Sequence, residues 1–178
     1  FAKAIECKNV RDLKMRLAQA EAVGQRFYTD VRPEPGGIYS VYETIKTTLD
    51  HNAQLVTEAV IRPAVEWLSK SRQILIFGVG GGSTVMAQEC QHWFFRLGFA
   101  ATAYSDPMLM RMAASAIDSN DVVLCLSLGG YSPDVQEAAE IAKEYGARTI
   151  GITVADSPLG KIVDQLIPMQ PLATDYIF

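Results

Sequence analysis

The chain has few of the residues from which redox and metal sites are usually built. Its 178 residues include three cysteines and two histidines. Cys7, Cys90 and Cys125 are scattered and form no Cys-x-x-Cys motif, which favours a reducing, cytoplasmic environment over a disulfide framework. His51 and His92 are not spaced like metal ligands, so we expect neither a metal site nor a cofactor.

Long apolar runs, repeats and low-complexity tracts are also missing. No uninterrupted apolar stretch is long enough to cross a membrane, and there is no signal-peptide pattern. Apolar residues make up 49% of the chain and charged residues 20%, which is typical of a globular domain with a packed core. Because the chain starts at Phe1 and stops at Phe178 without a terminating pattern, we expect a piece of a longer protein.

Negative charge is scarce at the start of the chain. Residues 1–16 contain five basic and two acidic residues, a net charge of +3, whereas the whole chain carries −4 and residues 17–178 therefore −7. The net negative charge of residues 17–178 disfavours binding of nucleic acid to that part of the chain. The basic segment could border a nucleic-acid surface, although a short basic run is more often a solvated helix face.

Helical spacing predicts an amphipathic helix over about residues 9–23, and the prolines and glycines of residues 29–37 predict a linker. A long helical pattern follows and is interrupted at Pro63, where we expect a second helix to begin. From residue 73 the pattern alternates between apolar strands and helices. The predicted strands are 73–79, 99–105, 121–127, 148–154 and 165–170, and the helices between them are 83–97, 107–117, 133–145 and 157–163.

Three of these helices share one start signal, an N-cap oxygen followed by proline. It reads Asp106-Pro107, Ser132-Pro133 and Ser157-Pro158. In helix 83–97, Val85, Met86, Cys90, Trp93, Phe94 and Leu97 are expected on one apolar side. The pattern predicts a three-layer α/β/α sandwich with a five-stranded parallel sheet, flavodoxin-like and preceded by helices.

Two glycine-rich loops carry the functional signal. Gly78-Val79-Gly80-Gly81-Gly82-Ser83-Thr84 follows the first strand, and Ser127-Leu128-Gly129-Gly130-Tyr131-Ser132 follows the third. Such a turn between a parallel strand and a helix lets backbone N–H groups bind an anion at the positive helix end. The candidate phosphate-binding residues are Gly80, Gly81, Gly82, Ser83, Thr84, Ser127, Gly130 and Ser132.

Two other interpretations compete with a phosphate site. The loops could be tight turns with capping serines, which is compatible with ligand contact. A dinucleotide site would require Gly-x-Gly-x-x-Gly, but Ser83 replaces the third glycine. Asp106, placed where a ribose-binding acid would belong, is explained as a helix cap.

Together with the Ser157-Pro158-Leu159 turn, the two loops resemble the sugar isomerase (SIS) domain. In that family the second loop commonly reads Ser-x-Ser-Gly-x-Thr and helps to bind a sugar phosphate. Here Gly129 replaces the middle serine and Ser132 the threonine. Ser83 and Thr84 both stand where the first loop's hydroxyl would fall, so the resemblance leaves open which of them contacts the ligand.

The resemblance extends to MurR/RpiR-type transcription regulators through residues 1–18, residues 92–98 and Thr174-Asp175-Tyr176. It implies a remnant of a helix-turn-helix domain at 1–28, with Lys3, Lys8 and Arg11 as DNA-binding candidates, a linker at 29–37 and an SIS effector domain at 38–178. A phosphorylated sugar or sugar acid would change the affinity of a homodimer or homotetramer for operator DNA.

A sugar-phosphate isomerase is the main alternative function. It requires a general base beside the substrate carbon, and the stretches after the loops offer Glu89, His92, Asp134 and Glu137. No His–Glu pair lies at a strand end, which favours a regulator over an enzyme. A pure interaction module would not need two phosphate-type loops. The apolar residues of segment 38–68 predict self-association through the helices before the sheet.

Overall fold

The structure, a computed structural model, describes residues 37–172. Within this range the chain forms six helices and five strands. The helices are α1 (Gly37–Leu55), α2 (Glu58–Lys70), α3 (Gly81–Arg96), α4 (Pro107–Ala114), α5 (Pro133–Glu144) and α6 (Pro158–Ile162). The strands are β1 (Ile74–Phe77), β2 (Ala101–Tyr104), β3 (Val122–Leu126), β4 (Arg148–Thr153) and β5 (Gln165–Pro168).

All five strands form one parallel sheet in the order β2-β1-β3-β4-β5. The predicted five-stranded parallel sheet is therefore confirmed. The chain leaves β1 toward one side of the sheet to form β2 and then crosses to the other side to form β3. In open α/β sheets a crevice opens at such a reversal, beyond the carboxyl ends of the two central strands. Here those strands are β1 and β3, which the two glycine-rich loops follow.

Helices cover both faces of the sheet. On one face α4, α5 and α6 pack against Leu75, Phe77, Val123 and Cys125. On the other face α2 and α3 pack against Ile74, Ile76, Val122 and Leu124. Successive strand residues alternate between two apolar layers, so β1 and β3 are buried along their whole length. This accounts for strands that are continuously apolar rather than alternating.

The three predicted helix starts with a cap residue and proline are confirmed, with proline in the first turn of α4, α5 and α6. The start predicted at Pro63 was wrong, because α2 begins at Glu58 after Thr57 and Pro63 lies inside it. Asp106 accepts a hydrogen bond from the backbone N–H of Leu109 at 2.9 Å. Ser157 accepts one from the backbone N–H of Gly160 at 3.1 Å. Ser132 occupies the same position before α5, but its side chain makes no capping hydrogen bond.

Helix α3 differs from the sequence-based prediction. Its start lies at Gly81 rather than 83. Its sheet-facing side consists of Ala87, Cys90 and Phe94, because small Ala87 lets the helix approach the sheet closely. The predicted apolar side was wrong in four of its six members, which are exposed: Val85, Met86, Trp93 and Leu97.

The chain divides into two compact units, one of which comprises Tyr42–Leu172 and contains the sheet. Of the other unit the structure describes only Gly37–Val41, which are helical. Within the sheet unit, Asn52 exchanges two hydrogen bonds with the backbone of Gln170, at 2.9 and 2.7 Å. Among residues 37–172, no helix has both the length and the apolar character to span a membrane.

Candidate functional site

The first loop turns sharply between β1 and α3. A Cβ on Gly78 would lie 2.4 Å from the backbone oxygen of Ser83, so only glycine fits against the first turn of the helix. Gly80 precedes α3 with a φ of 93°, a conformation that also favours glycine. Gly81, Gly82 and Ser83 then form the start of α3, where backbone N–H groups have no partner within the helix.

The two hydroxyls of this loop are used differently. Thr84 Oγ1 donates a hydrogen bond to the carbonyl oxygen of Gly78 at 3.3 Å, so its only hydroxyl proton is engaged inside the loop. The Ser83 hydroxyl makes no hydrogen bond to any residue of the range 37–172. Ser83 is therefore the first-loop side chain with a hydroxyl proton available to a ligand.

The second loop is closed by its own first residue. Ser127 follows β3, is almost fully buried, and its Oγ accepts a hydrogen bond from the backbone N–H of Gly130 at 3.2 Å. Gly130 has a φ of 72°, and a Cβ there would lie 2.1 Å from Ser157 Oγ and 2.6 Å from Thr153 Oγ1. The carbonyl oxygen of Gly130 accepts a hydrogen bond from the backbone N–H of Leu159 at 3.2 Å. The second loop is therefore held in place by packing and a hydrogen bond to the segment from the end of β4 to the start of α6.

Ser132 lies at the end of this loop, directly before α5. Its backbone oxygen accepts from the N–H of Gln136 at 3.1 Å, as the start of a helix requires. Its hydroxyl forms no hydrogen bond with the described part of the chain and is only half-buried. An N-cap serine normally bonds its own helix, so this hydroxyl is available to another partner.

A cavity of about 420 Å³ lies between the two loops. Three of the predicted residues, Gly82, Ser83 and Ser127, line it together. The other five predicted residues lie on the same two loops but do not line this cavity: Gly80, Gly81, Thr84, Gly130 and Ser132. The rest of its wall is apolar and consists of Met86, Cys90, Leu126, Leu128, Ile152 and Met169.

The sequence did not reveal this apolar wall, because its members come from α3, β3, the second loop, β4 and the segment after β5. The one cysteine in the wall is not poised for nucleophilic chemistry. Partial burial, with a smaller effect from the Glu89 carboxylate, raises the pKa of the Cys90 thiol. Full burial raises the pKa of Cys125, on the other face of the sheet, to about 12. At neutral pH both thiols are therefore protonated.

The acid–base candidates are engaged elsewhere. Glu89 and His92 form an exposed pair on α3, with 3.6 Å between Oε2 and Nδ1. Asp134 and Glu137 on α5 both pair with Arg111 on α4. No group of three or more His, Cys, Asp or Glu residues within 37–172 could hold a metal ion. The DNA-binding candidates Lys3, Lys8 and Arg11 lie outside the described residues.

Comparison with known proteins identifies the family. The family model of the SIS domain matches residues 67–170, which contain the whole sheet and both loops. This chain belongs to the SIS domain family. It is 33% identical over 165 residues to the HTH-type transcriptional regulator HexR of Pseudomonas aeruginosa, covering 90% of the chain and 58% of HexR. The chain thus spans little more than half of that relative's length.

Solved structures share the SIS fold. The sugar isomerase domain of an RpiR transcription factor from Sphaerobacter thermophilus matches with a TM-score of 0.68 and 20% identity, covering 75% of each chain. The Vibrio vulnificus NanR protein complexed with ManNAc-6P matches with a TM-score of 0.73 and 21% identity, covering 90% of this SIS chain and 58% of NanR. Candidate phosphosugar isomerases share the fold too, with TM-scores of 0.60. The fold alone therefore does not separate a sensor from an enzyme.

Proposed function

We propose that this SIS chain is the effector-sensing part of a bacterial transcription regulator. It binds a phosphorylated sugar or sugar acid between its two glycine-rich loops, and binding changes the affinity of the whole protein for operator DNA. In this account the protein acts in the cytoplasm. The observation that carries the proposal is the pairing of two loops at the sheet's reversal point, each with a serine hydroxyl, Ser83 or Ser132, that no described residue uses.

The geometry supports a phosphate as the common element of the ligand. Ser83 and Ser132 lie at the starts of α3 and α5, where backbone N–H groups and the helix dipole favour an anion. Ser127 directly follows β3 and lines the cavity with Ser83. In the proposed site Ser83, Ser127 and Ser132 hold the phosphate, with backbone N–H groups of Gly80 to Gly82. The backbone N–H of Gly130, which the sequence also predicted as a phosphate ligand, donates to Ser127 Oγ instead and closes the second loop.

The relatives support the regulatory part of the proposal. HexR is a transcriptional regulator that is similar to 90% of the chain, and NanR, which shares the fold, is known in complex with the phosphosugar ManNAc-6P. An effector that binds two arrangements of the protein with different affinity shifts the equilibrium between them. DNA affinity then changes by the same coupling free energy.

Isomerase chemistry is disfavoured by the site itself. A general base must come within hydrogen-bond reach of the proton that it removes. Among the described candidates, Asp134 and Glu137 are paired with Arg111, and Glu89 and His92 with each other on an exposed helix face. We therefore propose a binding domain without turnover.

Self-association belongs to the same proposal. Along α1, Ile45 and Leu49 are 43% and 64% exposed, and they lie four residues apart on one side of the helix. We propose that this apolar stripe contributes to a homodimer or homotetramer. Sedimentation at micromolar concentration is expected to show the oligomer, and a double Ile45→Glu, Leu49→Glu variant is expected to be monomeric. A monomeric wild-type protein would contradict this part.

A thermal-shift screen against sugar phosphates, each with its unphosphorylated sugar as a control, tests the ligand class. A ligand that binds the native state raises the unfolding temperature, so we expect stabilisation by phosphorylated compounds only. NMR of the same mixtures tests turnover. Interconversion of aldose and ketose phosphates above a buffer control would contradict the sensor proposal, as would the absence of stabilisation by any phosphorylated sugar or sugar acid.

A further inference from the structure

An acidic side chain stands at the start of the helix on which the proposed anion site depends. Asp134 lies in the first turn of α5, two residues after Ser132. Glu137 follows three residues later and therefore on the same side of the helix. A phosphate at Ser132 would lie within about one helical turn, roughly 5 Å, of this acidic start. Like charges at that distance repel, and the repulsion would weaken phosphate binding.

Arg111 contacts both of these acids. Its Nε donates to Glu137 Oε2 at 2.9 Å, and one terminal nitrogen donates to Asp134 Oδ1 at 3.3 Å. The other terminal nitrogen donates to the carbonyl oxygen of Pro107 at 2.8 Å, in the first turn of the guanidinium's own helix, α4. Three contacts in three directions fix the guanidinium, and its side chain is 33% exposed. Because arginine stays protonated in proteins, this positive charge is permanent.

We propose that Arg111 is a positioning residue of the anion site, which compensates the charge of Asp134 and Glu137 so that the start of α5 accepts a phosphate. The inference rests on the proposed function and adds a residue outside both loops to it. Arg111 touches no ligand in this account. It acts by holding two carboxylates whose uncompensated charge would oppose the phosphate, and it ties α4 to the beginning of α5.

Binding of inorganic phosphate, measured by calorimetry on the 178-residue chain at low ionic strength, tests the proposal. Arg111→Met is expected to weaken phosphate binding by about threefold or more, and added salt is expected to reduce that difference, because exposed charges are screened over about 10 Å at 0.1 M salt. The triple variant Arg111→Met, Asp134→Asn, Glu137→Gln is expected to recover affinity to within about twofold of the wild type. If Arg111 only held the two helices together, neutralising Asp134 and Glu137 would not restore phosphate binding.

Arg96→Met provides the matched control. Arg96 ends α3, where it stacks on Trp93 at 5.0 Å, and its removal deletes the same charge at the end of α3 opposite to the first glycine-rich loop. We expect it to leave phosphate affinity unchanged. If Arg111→Met does not fold, the double variant Asp134→Asn, Glu137→Gln replaces it and is expected to bind phosphate more tightly than the wild type.

The outcomes separate this inference from the proposed function. If Ser127→Ala weakens phosphate binding but Arg111→Met binds as the wild type does, the role of Arg111 is refuted and the site survives. If Arg111→Met is weaker and the triple variant is equally weak, the role is structural and charge compensation is refuted. If the wild type and Ser127→Ala bind phosphate equally, or neither binds it, the proposed site fails and the inference fails with it.

Discussion

Gly130 lies so close to Ser157 that a methyl group on the glycine would come within 2.1 Å of the serine hydroxyl oxygen. The contact joins two turns that are 27 positions apart in the chain. It holds the backbone of the second loop against the turn that precedes α6. Ser157 cannot yield easily, because it also caps α6 and donates to the carbonyl oxygen of Val154 at 2.6 Å.

We expect Gly130→Ala to destabilise the fold by about 2 kcal/mol or more, through steric overlap and a φ of 72° that alanine rarely adopts. Gly129→Ala is the matched control. A Cβ at Gly129 would meet only a ring carbon of Tyr131 at 3.5 Å, and its φ is not in the positive region. Denaturant unfolding of both variants checks the prediction. Equal stability of the two would show that the Gly130–Ser157 contact does not constrain the loop.

Stability should also depend on pH through Asp164. Burial opposes ionisation, but hydrogen bonds from the backbone N–H and hydroxyl of Thr149 and from Lys143 outweigh it and lower the pKa of Asp164 below its ordinary value of 3.8. A lowered pKa in the folded state means that the ionised carboxylate stabilises the fold at neutral pH. This stabilisation is lost as the pH falls below about 4.

Asp164→Asn is therefore expected to lower the unfolding free energy by about 1 kcal/mol at pH 7, a value reduced for partial exposure. The difference from the wild type should shrink as the pH falls to 3. Asp156→Asn, at an exposed position before α6, is the control and should change stability at neither pH. Thermal unfolding at both pH values checks this prediction. A stability difference that grows on acidification would contradict a lowered pKa of Asp164 in the folded state.

Cys90 offers a direct report on where the ligand binds. It lines the cavity together with Ser83 and Ser127, so a bound phosphosugar should slow its alkylation several-fold. Cys125 is fully buried, with its pKa raised to about 12, and should remain unlabelled in the folded protein with or without ligand. Mass spectrometry after timed alkylation distinguishes the two sites. Unchanged labelling of Cys90 at a ligand concentration that saturates calorimetric binding would show that the ligand binds outside this cavity.

The layout of the sheet was predictable because both of its faces are covered. A strand buried on two sides reads as a continuous apolar run, as Val122–Leu126 does. The helix starts were predictable for a local reason, since an oxygen-bearing cap followed by proline is a signal contained in two adjacent residues, such as Asp106 and Pro107. Such signals need no knowledge of the tertiary structure.

Other features depend on contacts between distant segments and could not be predicted. The sequence of α3 has apolar residues on more than one side, and the close approach at Ala87 decides which side meets the sheet. The positions of Ser83 and Ser132 were predicted, but their unused hydroxyls emerged only from the hydrogen bonds around them. Likewise, no local pattern brings Met169 to the cavity wall or Arg111 to the start of α5.

The central claim is that Ser132 binds the ligand rather than its own helix, and a calorimetric titration of Ser132→Ala with the phosphosugar from the thermal-shift screen tests it most directly. Because the hydroxyl makes no capping hydrogen bond, we expect the unfolding free energy to stay near that of the wild type. Affinity should fall by about 1.5–3 kcal/mol, the usual contribution of a hydrogen bond to a charged group. Ser69→Ala, on the exposed end of α2, should bind as the wild type does. Unchanged affinity of Ser132→Ala would contradict the account.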